Sequence, residues 1–342
     1  MTRAAVFGAG SWGTAFGAVL ADAGTETTIR ARRPELAEAI RDRHENPDYL
    51  AGVRLPDGVG ATTDPAAALA GVDFVVLAIP AQTLRQNLSR WAPLVPANAV
   101  LVSLMKGVEL GTSKRMSEVI REVADVPADR VAVVSGPNLA GEIARRQPAA
   151  TVVACEHEPA AQRLQDACLT GYFRPYTNPD VTGTELGGAV KNVITIAVGM
   201  ADGMGLGDNA KASLITRGLA EIARLGGALG ADPMTFAGLA GLGDLVCSCM
   251  SPLSRNRTVG ERLGRGHSVA EVTSQLRTVA EGVTSSQSIL DLARKHHVYM
   301  PITEHVVAVL NGDMTPAEML RSMMTRGAKP ERHDAERRQP GG

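Results

Sequence analysis

Short apolar runs alternate with longer segments of helical period over the first half of the chain. Residues 4–7 (AAVF), 27–30 (TTIR), 73–79 (DFVVLAI), 99–103 (AVLVS), 131–135 (VAVVS) and 150–154 (ATVVA) read as strands. Most are separated by helix-like segments of about ten or more residues. Apolar strands alternating with helices predict a parallel sheet covered on both faces. Strand signals stop near residue 184. Beyond it, Ala-, Leu- and Ile-rich stretches at 185–202, 210–229, 281–297 and 301–310, punctuated by Gly and Pro, predict an all-helical half. The expected organisation is an α/β, doubly wound domain with a mostly parallel sheet over residues 1–184, then an all-α domain over 185–325. A tail without apolar periodicity follows over 326–342 and is expected to be disordered. No internal repeat interrupts this plan.

Composition narrows the function without naming it. The 342 residues suffice for a large core, and 35 basic against 36 acidic residues give a net charge of −1. That balance argues against a bulk electrostatic grip on nucleic acid or an anionic membrane, and 3% aromatics argue against base stacking. The chain shows no basic-then-apolar leader and no long uncharged apolar run. The four cysteines, Cys155, Cys168, Cys247 and Cys249, make neither a disulfide framework nor a zinc site. A cytoplasmic protein without metal or membrane span is expected.

The first strand runs into Gly8-Ala9-Gly10-Ser11-Trp12-Gly13, which opens a helical stretch. A strand before and a helix after give this G-x-G-x-x-G the context of a Rossmann-type dinucleotide site. Gly8 would make the tight turn, Gly10 would admit a pyrophosphate, and Gly13 would let helix and strand pack closely. The helix N-terminus then offers N–H groups to the anion. The second strand lacks the acid that would bind ribose hydroxyls. It reads Arg30-Ala31-Arg32-Arg33 instead. Paired arginines suit a 2′-phosphate, so NADP(H) is favoured and NAD(H) is possible. The alternative is two solvated loop arginines.

Two later strands end in residues fit for chemistry, where open α/β sheets bind ligands. One runs into Lys106, in a chain with six lysines against twenty-nine arginines. The other runs into Gly136-Pro137-Asn138-Leu139-Ala140. Lys106 either reaches an anionic substrate or faces water. Lys191 is the only charge in residues 186–201 of the first long helix. It is either snorkelling or set in a cleft as a general acid or base. Farther on, a glycine-dense turn ends in Asp244, and Ser254-Arg255-Asn256-Arg257 reads either as a phosphate clamp or as a helix cap followed by solvated arginines. Cys247-Ser-Cys249 reads as structural or incidental.

The segments GAGSWGTA, KGVE, SGPNLAGEIA, ELGGAVKNVITIAVGMADGMGLGDNAKA, GLAGLGDL, SRNRTVG and VAEGVTS occur in that order from about residue 3 to 324. Together they resemble the bacterial-type NAD(P)-dependent glycerol-3-phosphate dehydrogenases. The resemblance implies that the helical domain is similar to that of 6-phosphogluconate dehydrogenase. It implies an oxidoreductase that interconverts dihydroxyacetone phosphate and sn-glycerol 3-phosphate, feeding phospholipid synthesis in the cytoplasm, and a tendency to form homodimers. By position, it implies cofactor contacts at Ser11, Trp12, Arg32, Arg33, Tyr49, Lys106, Ala140, Arg255, Val279 and Glu281. Substrate contacts are implied at Lys106, Gly136, Asn138, Lys191, Asp244, Ser254, Arg255 and Asn256, with Lys191 as proton acceptor and Lys106 beside it. Asn138 departs from the Ser or Thr usual in the family. The competing readings are a β-hydroxyacid-type dehydrogenase on the same architecture, or a dinucleotide sensor without catalysis. The SRNR and KGVE segments speak against the first, and retention of both lysines speaks against the second.

Overall fold

Eight strands form one sheet: β1 (Arg3–Phe7), β2 (Glu26–Arg30), β3 (Val59–Thr62), β4 (Phe74–Leu77), β5 (Val100–Ser103), β6 (Val131–Ser135), β7 (Ala149–Ala154) and β8 (Phe173–Asn178). The computed structural model describes residues 1–275, 280–327 and 331. The strand order is β3-β2-β1-β4-β5-β6-β7-β8, parallel throughout except for the antiparallel β6–β7 pair. Every residue of β4, β5 and β6 is buried, as the continuous apolar runs require. Alternate residues feed two cores. Val6, Val76, Val102 and Val134 face one, and Phe7, Leu77, Leu101 and Val131 face the other.

The strands without a sequence signal are β3 and β8, the two edges. β3 reads VGAT and alternates buried with half-buried positions. β8 reads FRPYTN, with Pro175 in register with Thr151. An edge strand keeps one side unpaired and one face wet, so it tolerates Gly, Pro and charge that a central strand excludes.

The helical half is built around Val181–Gly203, of whose 23 residues twenty are buried. Asp180 caps it by accepting from the Gly183 N–H at 2.8 Å. The helix therefore starts before the expected boundary at 184/185, which falls inside it. The polar first turn, Val-Thr-Gly-Thr, hid its beginning. Buried Glu185 ties it to the sheet domain, accepting from the Ser117 N–H at 2.7 Å and from Arg115 at 3.2 Å. Asp208–Ala228, Glu281–Lys295 and Pro301–Asn311 match the other predicted helical stretches. Among the described residues no helix is long and apolar enough to cross a membrane. Of the tail, 326–342, only Arg326, Gly327 and Glu331 lie within the described residues.

The central helix crosses Arg255–Gly264 with backbone against backbone. A Cβ on Gly260 would lie 2.1 Å from the Ile196 carbonyl oxygen, and one on Gly199 would lie 2.3 Å from the Arg257 carbonyl oxygen. Backbone atoms cannot rotate aside, so the helices must part if either glycine gains a side chain. Gly260→Ala is expected to lower stability by about 1–3 kcal/mol, the scale of overpacking. Gly227→Ala, in a helix but with nothing within 4 Å of its Cβ position, is expected to be neutral or stabilising. Urea unfolding midpoints of the two variants check the contrast.

Candidate active site

The turn after β1 has the geometry its glycines predict. Gly8 has φ +126°, and a Cβ there would lie 2.3 Å from the Ala78 carbonyl oxygen at the end of β4. A Cβ on Gly13 would lie 2.1 Å from the Gly8 carbonyl oxygen, so both positions exclude side chains. Gly10 differs: nothing lies within 4 Å of its Cβ position. It is the N-cap of the helix Ser11–Asp22, whose first turn takes no side-chain cap. An open cradle at an uncapped helix N-terminus fits a dinucleotide pyrophosphate. The turn sits between β1 and β4, where the strand order reverses.

Around this turn, Ser11 donates its hydroxyl to the Tyr49 carbonyl at 3.1 Å. Trp12 packs its ring toward the core, 5.6 Å from Phe16 and 6.5 Å from Phe173. Arg32 is exposed, and Arg33 pairs with Asp48 across the mouth of β2. Ala140 opens the short helix Ala140–Ala144. Glu281 reaches back from the helical half, accepting from the Ala81 N–H just past β4 at 3.2 Å. Its other carboxylate oxygen is buried and has no partner among the described residues, and burial pushes the Glu281 pKa up. Val279 lies outside the described residues.

The second half of the site is an ion cluster. β5 delivers Lys106, the central helix delivers Lys191, and the helix Asp244–Met250 delivers Asp244. Lys106 Nζ lies 2.5 Å from Asp244 Oδ2 and donates to the Gly136 carbonyl at 3.0 Å. Lys191 Nζ lies 2.9 Å from Asp244 Oδ1 and also donates to Ser248. Ser248 in turn donates to Asp244 at 3.3 Å. The side chains of Lys106 and Lys191 are only 16% and 9% exposed, so these charges meet largely out of water. Burial pushes the Lys106 ammonium below the usual lysine range, and the Lys191 charge pushes it further, while Asp244 pulls it back. Two ammoniums and one carboxylate leave a net positive charge, a setting for an anionic ligand.

Local structure explains why these three meet. A π-helical turn, Leu239–Gly243, precedes Asp244 and packs on the central helix at Gly187, where a Cβ would lie 2.4 Å from the Ala240 carbonyl oxygen. The glycine-dense segment therefore exists to bring Asp244 close. Asn192 donates to the Lys106 carbonyl at 3.2 Å, and Asn256 donates to Asn192 at 2.9 Å. Asn256 also accepts from the Gly282 N–H at 3.1 Å. This amide ladder joins β5, the central helix, Arg255–Gly264 and Glu281–Lys295. Ser254 is the N-cap of Arg255–Gly264, and Arg255, exposed at its first position, faces the charge of Glu281.

Family models for the N-terminus and the C-terminus of NAD-dependent glycerol-3-phosphate dehydrogenase match residues 3–161 and 180–321. The chain belongs to the glycerol-3-phosphate dehydrogenase family. A glycerol-3-phosphate dehydrogenase [NAD(P)+] of Streptomyces griseus is 65% identical over 96% of this chain and 98% of its own length. That of Thermobifida fusca is 63% identical over 97% and 99%. The solved structure of glycerol-3-phosphate dehydrogenase from Coxiella burnetii superposes with a TM-score of 0.90 at 36% identity, covering 95% of this chain and 99% of that one.

In this glycerol-3-phosphate dehydrogenase scaffold the tertiary structure adds Ser248 and Asn192 to the residues singled out from sequence. The Ser248 hydroxyl bridges Lys191 and Asp244, although Cys247-Ser-Cys249 read as structural or incidental. Its signal was spacing: Asp244 and Ser248 stand at i and i+4, on one face of a helix. Asn192 follows Lys191 directly. Only the crossing of Arg255–Gly264 shows what its amide holds.

Proposed function

We propose that the chain reduces dihydroxyacetone phosphate to sn-glycerol 3-phosphate, and catalyses the reverse, with NADPH favoured over NADH. The observation that carries the reading is the convergence of Lys106 and Lys191 on Asp244, in a chain whose first strand ends in the open glycine turn. The turn residues 8–13 would hold the pyrophosphate, with Arg32 and Arg33 at the 2′-phosphate and Glu281 at the far wall. A bound nicotinamide supplies or takes the hydride at substrate C2. As the carbonyl oxygen gains negative charge, the Lys191 ammonium stabilises it and donates the proton, and in reverse the neutral amine accepts one. Lys106 adds positive charge to the same oxygen. Asp244 and Ser248 aim the Lys191 Nζ. Arg255, at the head of its helix, holds the phosphate and so sets C2 in position. The two halves share the work: the glycine turn, Arg32 and Arg33 grip the cofactor, the helices supply Lys191 and Arg255, and Lys106 and Glu281 each reach across to the other half.

The test is steady-state oxidation of NADPH and of NADH with dihydroxyacetone phosphate. Turnover is expected with both cofactors and is higher in kcat/KM with NADPH; no turnover with either would overturn the reading. Replacing Arg32 and Arg33 together by alanine is expected to raise KM for NADPH about tenfold or more, the scale of lost charge-assisted contacts, with little change for NADH. A clear NADH preference in the unmodified protein would reject the arginine assignment alone.

A further inference from the structure

The segment after β5 leaves the sheet at Lys106 and enters the helical half, where Val108 is fully buried in the core of that domain. Asn192 holds it from one side, at the Lys106 carbonyl. Gln82 holds it from the other, from the one-turn helix Ala81–Thr83 just past β4. Gln82 Nε2 donates to the Val108 carbonyl at 2.8 Å, and Gln82 Oε1 accepts from the Leu110 N–H at 2.9 Å. A backbone N–H can only donate, so the amide has one orientation. The same Nε2 lies 3.5 Å from Ser285 Oγ. The side chain serves residues 108 and 110 as a peptide group of a neighbouring strand would. Neither backbone group needs Gln82 for its hydrogen bonding. Ser288 also donates to the Val108 carbonyl, at 2.7 Å, and the Leu110 N–H stands at the surface, where water can reach it.

What the amide adds is position. Lys106 Nζ meets Asp244 and the Gly136 carbonyl together, and its stem passes 3.5 Å from the Cβ position of Gly188 on the central helix. A backbone shift two residues farther along the chain would carry the ammonium off both partners. The path leaves no slack: a Cβ on Gly107 would lie 2.7 Å from Ala81 Cβ and 2.7 Å from Ser285 Oγ. The Ala81 N–H binds Glu281, so two successive residues tie the Lys106 segment and the cofactor wall to one turn. Resting on the proposed reaction, in which Lys106 adds positive charge to the substrate oxygen, we propose that Gln82 is a positioning residue that fixes the Lys106 ammonium through the backbone of Val108 and Leu110. A fixed charge stabilises an oxyanion only where that oxyanion forms, and a displacement of about 1 Å costs about a hundredfold.

The experiment is a double-mutant cycle on the full chain: the unmodified protein, Gln82→Met, Lys106→Met and the two together. Methionine keeps the length of glutamine and removes both hydrogen bonds. Thermal melting and NADPH binding identify folded protein, and kcat/KM for dihydroxyacetone phosphate is taken per NADPH-binding molecule. Gln82→Met alone is expected to lower kcat/KM about tenfold or more, with KM for NADPH within about threefold. In the Lys106→Met background the same substitution is expected to change kcat/KM by less than about twofold, because there is no ammonium left to position. Gln82→Asn, whose shorter amide cannot span both backbone groups, is expected to give a smaller loss with the same dependence on Lys106, and it carries the cycle if the Met variant does not fold. Equal losses in the two backgrounds would make Gln82 a support of the fold alone and overturn the inference. So would no loss in Gln82→Met, or a changed KM for NADPH alone, which would place its effect on the Glu281 wall. Normal turnover in Lys106→Met would remove the role of Lys106 and the inference with it. Failure of the unmodified protein to reduce dihydroxyacetone phosphate would instead overturn the proposed function.

Discussion

Lys191→Met is expected to slow turnover of dihydroxyacetone phosphate by about a hundredfold or more, the scale for losing a general acid together with its charge. Methionine keeps the length and apolar stem of a side chain that is 9% exposed, so packing changes little. The variant leaves Asp244 with Lys106 at 2.5 Å and Ser248 at 3.3 Å, so no bare carboxylate is stranded. NADPH binding is expected to stay within a few-fold, because the glycine turn lies on a different domain. Lys191→Arg is expected to restore little, since a guanidinium keeps the charge but does not give up its proton near neutral pH.

The sign of the pH effect follows from Lys106. Its ammonium is pushed down by burial and then by the Lys191 charge. Removing that charge lets the Lys106 pKa rise. Reduction needs charged Lys106, so the alkaline fall of the residual activity is expected at higher pH in Lys191→Met than in the unmodified protein. The measurement is kcat per folded, cofactor-binding molecule across pH. Near-normal turnover in the Met variant would reject the catalytic role and leave Lys191 as part of the core.

Arg255→Ala is expected to lower kcat/KM for dihydroxyacetone phosphate by about 2–4 kcal/mol, or about 30- to 1000-fold, as for a lost charge-assisted contact to a desolvated anion. Arg255 is exposed at the first position of its helix, capped by Ser254, so alanine is compatible with the fold. Unphosphorylated dihydroxyacetone, a poor substrate from the start, is expected to lose far less. That difference isolates the phosphate. Equal losses with both substrates would mean that Arg255 acts through Glu281 on the cofactor wall or on the fold.

Local pattern determined much of this protein. The six strands read from apolar runs are present, and the three that are buried at every residue, β4, β5 and β6, carry the near-continuous apolar runs that burial on both faces requires. The glycine turn was legible from its spacing between a strand and a helix, although the demand on Gly8 comes from Ala78 on a neighbouring strand end: Gly8 and Gly13 exclude a Cβ, and Gly10 leaves its space open. Lys191 stood out as the lone charge of residues 186–201, on a helix that proved buried almost all round. The edge strands β3 and β8 were not legible, since half-solvated strands carry no compulsory pattern. What only the tertiary structure decided is which polar groups share a proton or a charge. Asp244 lies 138 residues from Lys106 and 53 from Lys191 in the chain, and no periodicity links them. Their meeting depends on glycines that let helices touch backbone to backbone at residues 187, 199 and 260. The same holds for Asn138. Sequence placed it after a strand, but its amide donates to Thr151 on β7, whose own hydroxyl proton goes to the Ser135 carbonyl. Hydrogen-bond direction is a property of a closed network, and a network closes only when distant segments pack together.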